Sequence, residues 1–232
     1  MKRLAATFLF SALSFSANAQ GILKDYYLHT FAGGTVSGDT AIKGKGIDVD
    51  VGSGYSVGIA AGRSITKYLR LELEWAYRNN DVDDLLDPSG MTILGYVVSN
   101  PDGYKMPGNI TSVGTTKDFN ADITYSSILV NAYYDYSPTD NLSMFGGLGF
   151  GLSIAQANFF GEHNFFATPN FIPSRHDYKG IAFTYQILLG IGYQINENFS
   201  LTFAYKLFAP GEFKEIDNLY LSSFDFGATY IF

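Results

Sequence analysis

The chain has 232 residues, no cysteine, a formal charge of −7 and equal shares of aromatic and charged residues, 16% each. So acidic a chain lacks the surplus of Lys and Arg that nucleic-acid phosphates demand, and no nucleic-acid partner is expected. Without disulfides it must be held together by packing or by closure of a sheet, and after its first residues no apolar run reaches the roughly 20 residues of a membrane-spanning helix.

Lys2 and Arg3 precede the apolar run "LAATFLFSALSFSA", and Ala17-Asn18-Ala19 places small residues where a signal peptidase reads them. Residues 1–19 are therefore expected to be a signal peptide cleaved before Gln20, and residues 20–232 a single domain. The segments that follow alternate with a period of two. "YLRLELEWAYR" sets Leu69, Leu71, Leu73, Trp75 and Tyr77 against Arg70, Glu72, Glu74, Ala76 and Arg78, which is strand periodicity. The pattern returns in "LSMFGGLGFGLSI", in "GIAFTYQILLGIGY" and in "FSLTFAYKLF". With weaker segments included, strands are expected at about 25–35, 53–63, 68–79, 122–135, 142–156, 179–193, 199–209 and 218–232. Their connections alternate in length. Long links at 36–52, 80–121 and 157–178 are interleaved with tight ones at 64–67, 136–141 and 194–198, and 210–217 is intermediate.

Long links on one edge and tight turns on the other predict an all-β fold, an eight-stranded antiparallel up-and-down transmembrane β-barrel. A soluble barrel would share the alternation but turn its apolar face inward. Here the polar face of the later strands is mainly Gly, Ser, Thr, Ala and Gln, small enough for a narrow interior, while the other face carries large Leu, Ile, Phe and Tyr. Arg or Lys at the lipid midplane costs about 2 to 4 kcal/mol, so Arg70, Glu72, Glu74 and Arg78 are expected to face the lumen, within reach of Lys206 and Asp225. Eight strands leave an interior that side chains fill, so a salt-bridged plug is expected rather than a pore. In the last segment, "SSFDFGATYIF", Phe224, Phe226, Ala228, Tyr230 and Phe232 would face lipid, with Asp225, Gly227 and Thr229 inside.

"SILVNAYYDYSPTDNLSMFGGLGFG", with Asn131, Tyr134, Asp135 and glycines 146, 147, 149 and 151, resembles a hairpin of small bacterial outer-membrane barrels related to the OmpA membrane domain and to proteobacterial surface antigens. "FTYQILLGIGYQINENFSLTFAYKLF", with Gln186, Gly190, Gly192, Tyr193 and Tyr205, is similar to that family's next hairpin. The terminal "ATYIF", read with Phe226, Tyr230 and Phe232, is similar to the aromatic end signal by which the barrel assembly machinery recognises its substrates. Met144-Phe145 departs from the Pro-Tyr often found there, as Lys206-Leu207 departs from Arg-Tyr. The resemblance implies an outer-membrane location, a barrel without a following cell-wall-binding domain, and a structural or surface-interaction role of adhesin or antigen type. A small-solute channel and a barrel enzyme acting on membrane lipid are the alternatives.

Neither catalysis nor a metal is expected. His29 lies in the first strand and His163 and His176 in the third long link, with no His-x-Ser pairing at a strand end, and the acidic run of Asp81, Asp83, Asp84 and Asp87 lacks the Gly and Glu of a calcium loop. No cofactor is expected. Outer-membrane lipid is the surrounding partner. Extracellular protein or host surface is the expected contact of loops 80–121 and 157–178, which carry the apolar run Ile93, Leu94, Tyr96, Val97 and Val98 and the aromatics Phe159, Phe160, Phe165, Phe166 and Phe171.

Overall fold

The computed structural model describes residues 25–37, 40–42, 47–86, 116–163, 172–212 and 219–232. Its strands are β1 (Tyr26–Ser37), β2 (Thr40–Ile42), β3 (Ile47–Ser64), β4 (Leu69–Leu86), β5 (Thr116–Tyr136), β6 (Leu142–His163), β7 (Ile172–Asn196), β8 (Phe199–Pro210) and β9 (Leu221–Ile231). Eight of them are long and each pairs antiparallel with its neighbour. Because β1 pairs with β3 on one side and with β9 on the other, the sheet closes on itself. Closure satisfies the backbone groups that an edge would leave bare, which a bilayer does not tolerate. The short β2 hangs from β3 by three residue pairs, Thr40↔Val49 to Ile42↔Ile47.

The tight connections share one end of the barrel with the described chain ends, and polar side chains brace them. Thr66 Oγ1 accepts from the backbone N–H groups of Tyr68 and Leu69 at 3.2 and 3.0 Å. Thr139 Oγ1 accepts from Leu142 N–H at 3.1 Å, and Asn196 Oδ1 from Asn198 N–H at 3.0 Å. These local bonds let the chain reverse in a few residues. In barrels of this type short turns lie on the periplasmic side, so the opposite end is the outer one.

At the outer end the strands run further than alternation predicts. The link placed at 157–178 is largely paired backbone, with β6 continuing to His163 and β7 starting at Ile172 in the register His163↔Ile172. Likewise β4 reaches Leu86 and β5 begins at Thr116, while β3 starts at Ile47 within the link placed at 36–52. Above the bilayer both faces of a hairpin meet water, so the hydrogen-bond ladder persists without the apolar alternation by which a strand is recognised. The signal peptide at 1–19 lies outside the described residues, as do Asp87, the apolar run at 93–98, and Phe165, Phe166 and Phe171.

Outward positions form a continuous apolar belt. From Ile181 to Tyr193 alternate residues of β7 are exposed and uncharged, as they are from Leu69 to Trp75 on β4. Twelve residue steps at about 3.4 Å, tilted by about 45°, project to roughly 29 Å, enough to span the apolar band of about 25 Å and its interfacial girdles. Tyr26, Tyr68, Tyr134 and Tyr193 are exposed on the turn side, and Tyr68 stacks on Tyr134 with ring centres 5.9 Å apart. On the outer side Tyr55 and Tyr77 lie 6.2 Å apart.

Inside, the residues change character with height. The middle of the lumen is polar, whereas the outer third holds an apolar cluster including Val51, Val82, Ile123, Tyr125, Phe208 and Leu221. A bulge builds part of that cluster. Val51 opposes Val82 and Gly54 opposes Asn80, so β3 gains one residue over β4 between these pairs. The extra residue moves Val51 from the outward to the inward set. Asn80 fixes the kink by donating to Gly52 O at 3.1 Å and accepting from Thr35 Oγ1 at 3.1 Å.

Candidate functional site

The lumen is the region where the fold concentrates chemistry. On β4, residues 72, 74 and 78 are forced inward by the strand period, since 69, 71, 73 and 75 face out. Glu74 is fully buried and is the hub. Lys206 Nζ on β8 donates to Glu74 Oε2 at 3.1 Å, Asn131 Nδ2 on β5 donates to the same oxygen at 3.1 Å, and Arg78 Nη2 reaches Oε1 at 3.4 Å. Gln186 on β7 donates to Glu74 at 3.3 Å and to Asn131 Oδ1 at 2.9 Å, and accepts from Arg78 Nη2 at 3.2 Å. Four strands are thereby tied together across the interior. The buried carboxylate has the donors without which its desolvation would be prohibitive.

Lys206 is shared. Its ammonium also lies 3.3 Å from Asp225 Oδ2 on β9 and 3.3 Å from the ring centre of Phe31 on β1. Ser56 Oγ donates to the other oxygen of Asp225 at 2.7 Å. Arg78 Nε and Nη1 have no hydrogen-bond partner among the described residues; the guanidinium instead sits 4.0 Å from the ring centre of Phe208, a cation–π contact that joins the polar layer to the apolar one.

Nearer the turns a second cluster forms around Glu72. Its carboxylate accepts from Tyr27 Oη at 3.1 Å, Tyr133 Oη at 3.0 Å and Asn131 Nδ2 at 3.3 Å. Arg70 lies 3.9 Å from Glu72 but binds Asp135 on β5, with Nε donating to both carboxylate oxygens at 3.0 and 2.9 Å. Below these groups a cavity of about 230 Å³ opens at the turn end, lined by Tyr27, Arg70, Asp135, Asn141, Thr202 and Thr229 among others. Polar filling continues on the facing wall, where Ser153 Oγ lies 2.8 Å from Ser127 Oγ and 2.7 Å from Thr184 Oγ1. Glycines make room for the larger groups. A Cβ at Gly147 would collide with the Tyr133 ring, and one at Gly58 with Phe31.

Of the six charges singled out in sequence, the structure joins Glu74, Arg78, Lys206 and Asp225 in one connected set. Arg70 and Glu72 lie beside it in the lower cluster, linked through Asn131. The partner of Arg70 is Asp135, to which sequence reasoning gave no role. Tyr27, Tyr133, Asn131 and Gln186 were equally unassigned. The available signal was inward parity: Gln186 is the polar residue between outward Tyr185 and Ile187, and Asn131 the one between Val130 and Ala132.

The histidines are not brought together. His29 lies inside β1 with Nδ1 2.8 Å from Thr229 Oγ1, while His163 and His176 belong to the outer extension of β6 and β7. Among the described residues no cluster of His, Asp or Glu suits a metal ion. At the end of the chain, Phe232 N–H donates to Tyr26 O at 3.1 Å, and the Tyr230 and Phe232 rings meet edge to face at 5.3 Å. Phe226 is exposed on the outer wall.

Residues 4–232 match the family model of the outer membrane protein beta-barrel domain. A search of curated protein sequences finds no match. Among solved structures, Neisserial surface protein A is similar at 17% identity and a TM-score of 0.53, over 90% of this chain and 98% of that one. The outer membrane protein OprG from Pseudomonas aeruginosa aligns at 14% identity and a TM-score of 0.45, over 89% of this chain and 95% of that one. The attachment invasion locus protein Ail of Yersinia pestis, in complex with the heparin analogue sucrose octasulfate, aligns at 11% identity and a TM-score of 0.42, over 89% and 98%. The closed antiparallel sheet, its uncharged outer belt and the family match over nearly the whole chain lead to one conclusion: this chain belongs to the outer membrane protein beta-barrel domain family and resides in the cell outer membrane.

Proposed function

We propose that this barrel is a non-conducting anchor that carries a surface for contact with extracellular protein or a host surface. One observation supports this above the rest: above the turn-side cavity, the middle and outer lumen are filled. The network around Glu74 ties β4 to β5, β7 and β8, and the apolar cluster of Tyr125, Phe208, Leu221 and their neighbours sits above it. A solute entering from the turn side would meet buried ion pairs and then a buried apolar layer, and eight-stranded barrels have little interior to spare. The function is then left to what stands outside. β6 continues nine residues past Ile154, which is about 30 Å of strand at about 3.3 Å per residue. That hairpin carries Phe159 and Phe160 in its sequence, and aromatic residues are enriched at partner surfaces.

The test is to cut the hairpin where its register allows. Ala157 pairs with Tyr178, so replacing residues 158–177 by Asn-Gly closes a two-residue turn on an intact barrel. The expected result is loss of adhesion of expressing cells to extracellular matrix or host-cell monolayers, with unchanged outer-membrane levels and no steady planar-bilayer conductance before or after the cut. Equal adhesion by cut and intact protein, or stable conductance through the intact one, would overturn the reading.

A further inference from the structure

One corner of the turn-side rim differs from the rest. Arg63, outward-facing at the end of β3, holds its guanidinium 5.0 Å from the ring centre of Tyr26. Lys67, in the turn that follows, holds its ammonium 4.6 Å from the ring centre of Tyr68. Both cations are exposed, and neither forms an ion pair with a described residue, although Asp25 lies at the same corner with its carbonyl accepting from Ser64 N–H at 2.9 Å. The other two tight turns carry Asp140 and Glu197 instead. Among the described residues, the exposed cations of this rim therefore lie over two tyrosines, Tyr26 and Tyr68.

That corner adjoins an opening in the lipid-facing wall. Tyr68 stacks on Tyr134, and Tyr134 with Tyr136 lines a groove of about 690 Å³ that runs past Met144 and Gly146 to Leu189, Ile191 and Phe203. The groove exists because Gly146 is an outward position without a side chain, on a strand whose other outward residues nearby are Met144, Leu148 and Phe150. Its walls are almost wholly apolar, and it lies within the band that faces hydrocarbon.

We propose that this corner and groove form a binding site for an anionic phospholipid of the periplasmic leaflet, with the phosphate held at Arg63 and Lys67 and an acyl chain lying over Gly146. Position selects the occupant: the cations stand at headgroup height above a tyrosine belt, and the groove continues from that belt toward the bilayer centre. Charge selects the head. Two cations held over aromatic faces, without a carboxylate partner among the described residues, are available to an external phosphate. Each basic group near a membrane surface is worth about fivefold in association with anionic lipid.

The full mature chain, refolded into phosphatidylcholine vesicles, tests this with spin-labelled lipids, whose motionally restricted fraction measures association with the barrel wall. Labelled phosphatidylglycerol is expected to associate several-fold more strongly than labelled phosphatidylcholine. Arg63→Gln with Lys67→Gln should abolish that preference, with heat-modifiable gel mobility showing that the variant has folded. Gly146→Leu should reduce the restricted fraction of both lipids while the headgroup preference persists. Equal association of the two lipids with the unaltered protein would overturn the proposal, as would a preference that survives loss of both cations. A concentration-dependent dimer abolished by Gly146→Leu would assign the groove to a second copy and overturn its lipid occupancy.

Discussion

Replacing Lys206 with Met tests whether the lumen is a set of independent contacts or a single electrostatic unit. Met keeps most of the volume and removes the charge that Glu74 and Asp225 share at 3.1 and 3.3 Å. At an effective dielectric constant of about 20, either contact is a gross attraction of about 5 kcal/mol. Much of that is offset by the desolvation of three charges, and breaking a buried pair typically leaves a net loss of about 3 to 5 kcal/mol. Here the lower figure is expected, because Glu74 keeps Arg78, Asn131 and Gln186, whereas Asp225 keeps only the Ser56 hydroxyl among the groups described. Asp225 should then be the residue most harmed. Removing its charge as well, in Lys206→Met with Asp225→Asn, should restore about 2 kcal/mol, within the coupling range of residues that touch. Reversible urea unfolding in lipid vesicles measures both variants. The fluorescence of Trp75, the single tryptophan, which faces outward, serves as the probe, with gel mobility of the unheated protein as a second readout. A loss below 1 kcal/mol for Lys206→Met, or a double variant whose loss equals the sum of the two single losses, would refute the shared-charge account.

Deleting Phe232 removes the backbone bond to Tyr26 and the last aromatic of the chain; export should persist while outer-membrane levels fall and periplasmic protein accumulates, as fractionation would show. Gly147→Val places atoms against the Tyr133 ring and should destabilise the barrel by about 1 to 3 kcal/mol in the same urea assay. Phe208→Ala empties the centre of the apolar cluster and uncovers the face of Arg78, so a loss of about 3 to 5 kcal/mol is expected, again by urea unfolding. Arg70→Gln leaves Asp135 unpaired at the edge of the turn-side cavity; because both groups are partly solvated, the expected loss is smaller, about 1 kcal/mol.

Period-two alternation made the strands legible because it is a property of the backbone. Each Cβ in a strand points opposite to the last, so "YLRLELEWAYR" announces both a strand and the side on which its charges must lie. The cost of a charge in hydrocarbon then decides which side is inward. The same logic gave eight long strands and the position of the tight turns, and, among the described residues, the buried charges Glu72, Glu74, Arg78, Lys206 and Asp225 lie at the inward parity it assigns. The outer extension of β6 and β7 was not legible, since above the bilayer neither face is required to be apolar. β2 was missed for its size, three residues with no pattern of their own.

The sequence by itself therefore determined the strand period, the lipid-facing and lumen-facing sets and, with the family match, the membrane in which this chain resides. Tertiary structure decided the partners. Arg70 meets Asp135 rather than a charge across the barrel, Lys206 is divided between Glu74 and Asp225, and Val51 joins the inner apolar cluster only because a bulge shifts β3 by one residue. The groove over Gly146 likewise exists only when β5, β7 and β8 bring their side chains around it. The physical reason is one of range. Which face a side chain takes is fixed within a residue or two of itself, whereas which residue it meets depends on register, bulges and closure summed around the whole sheet.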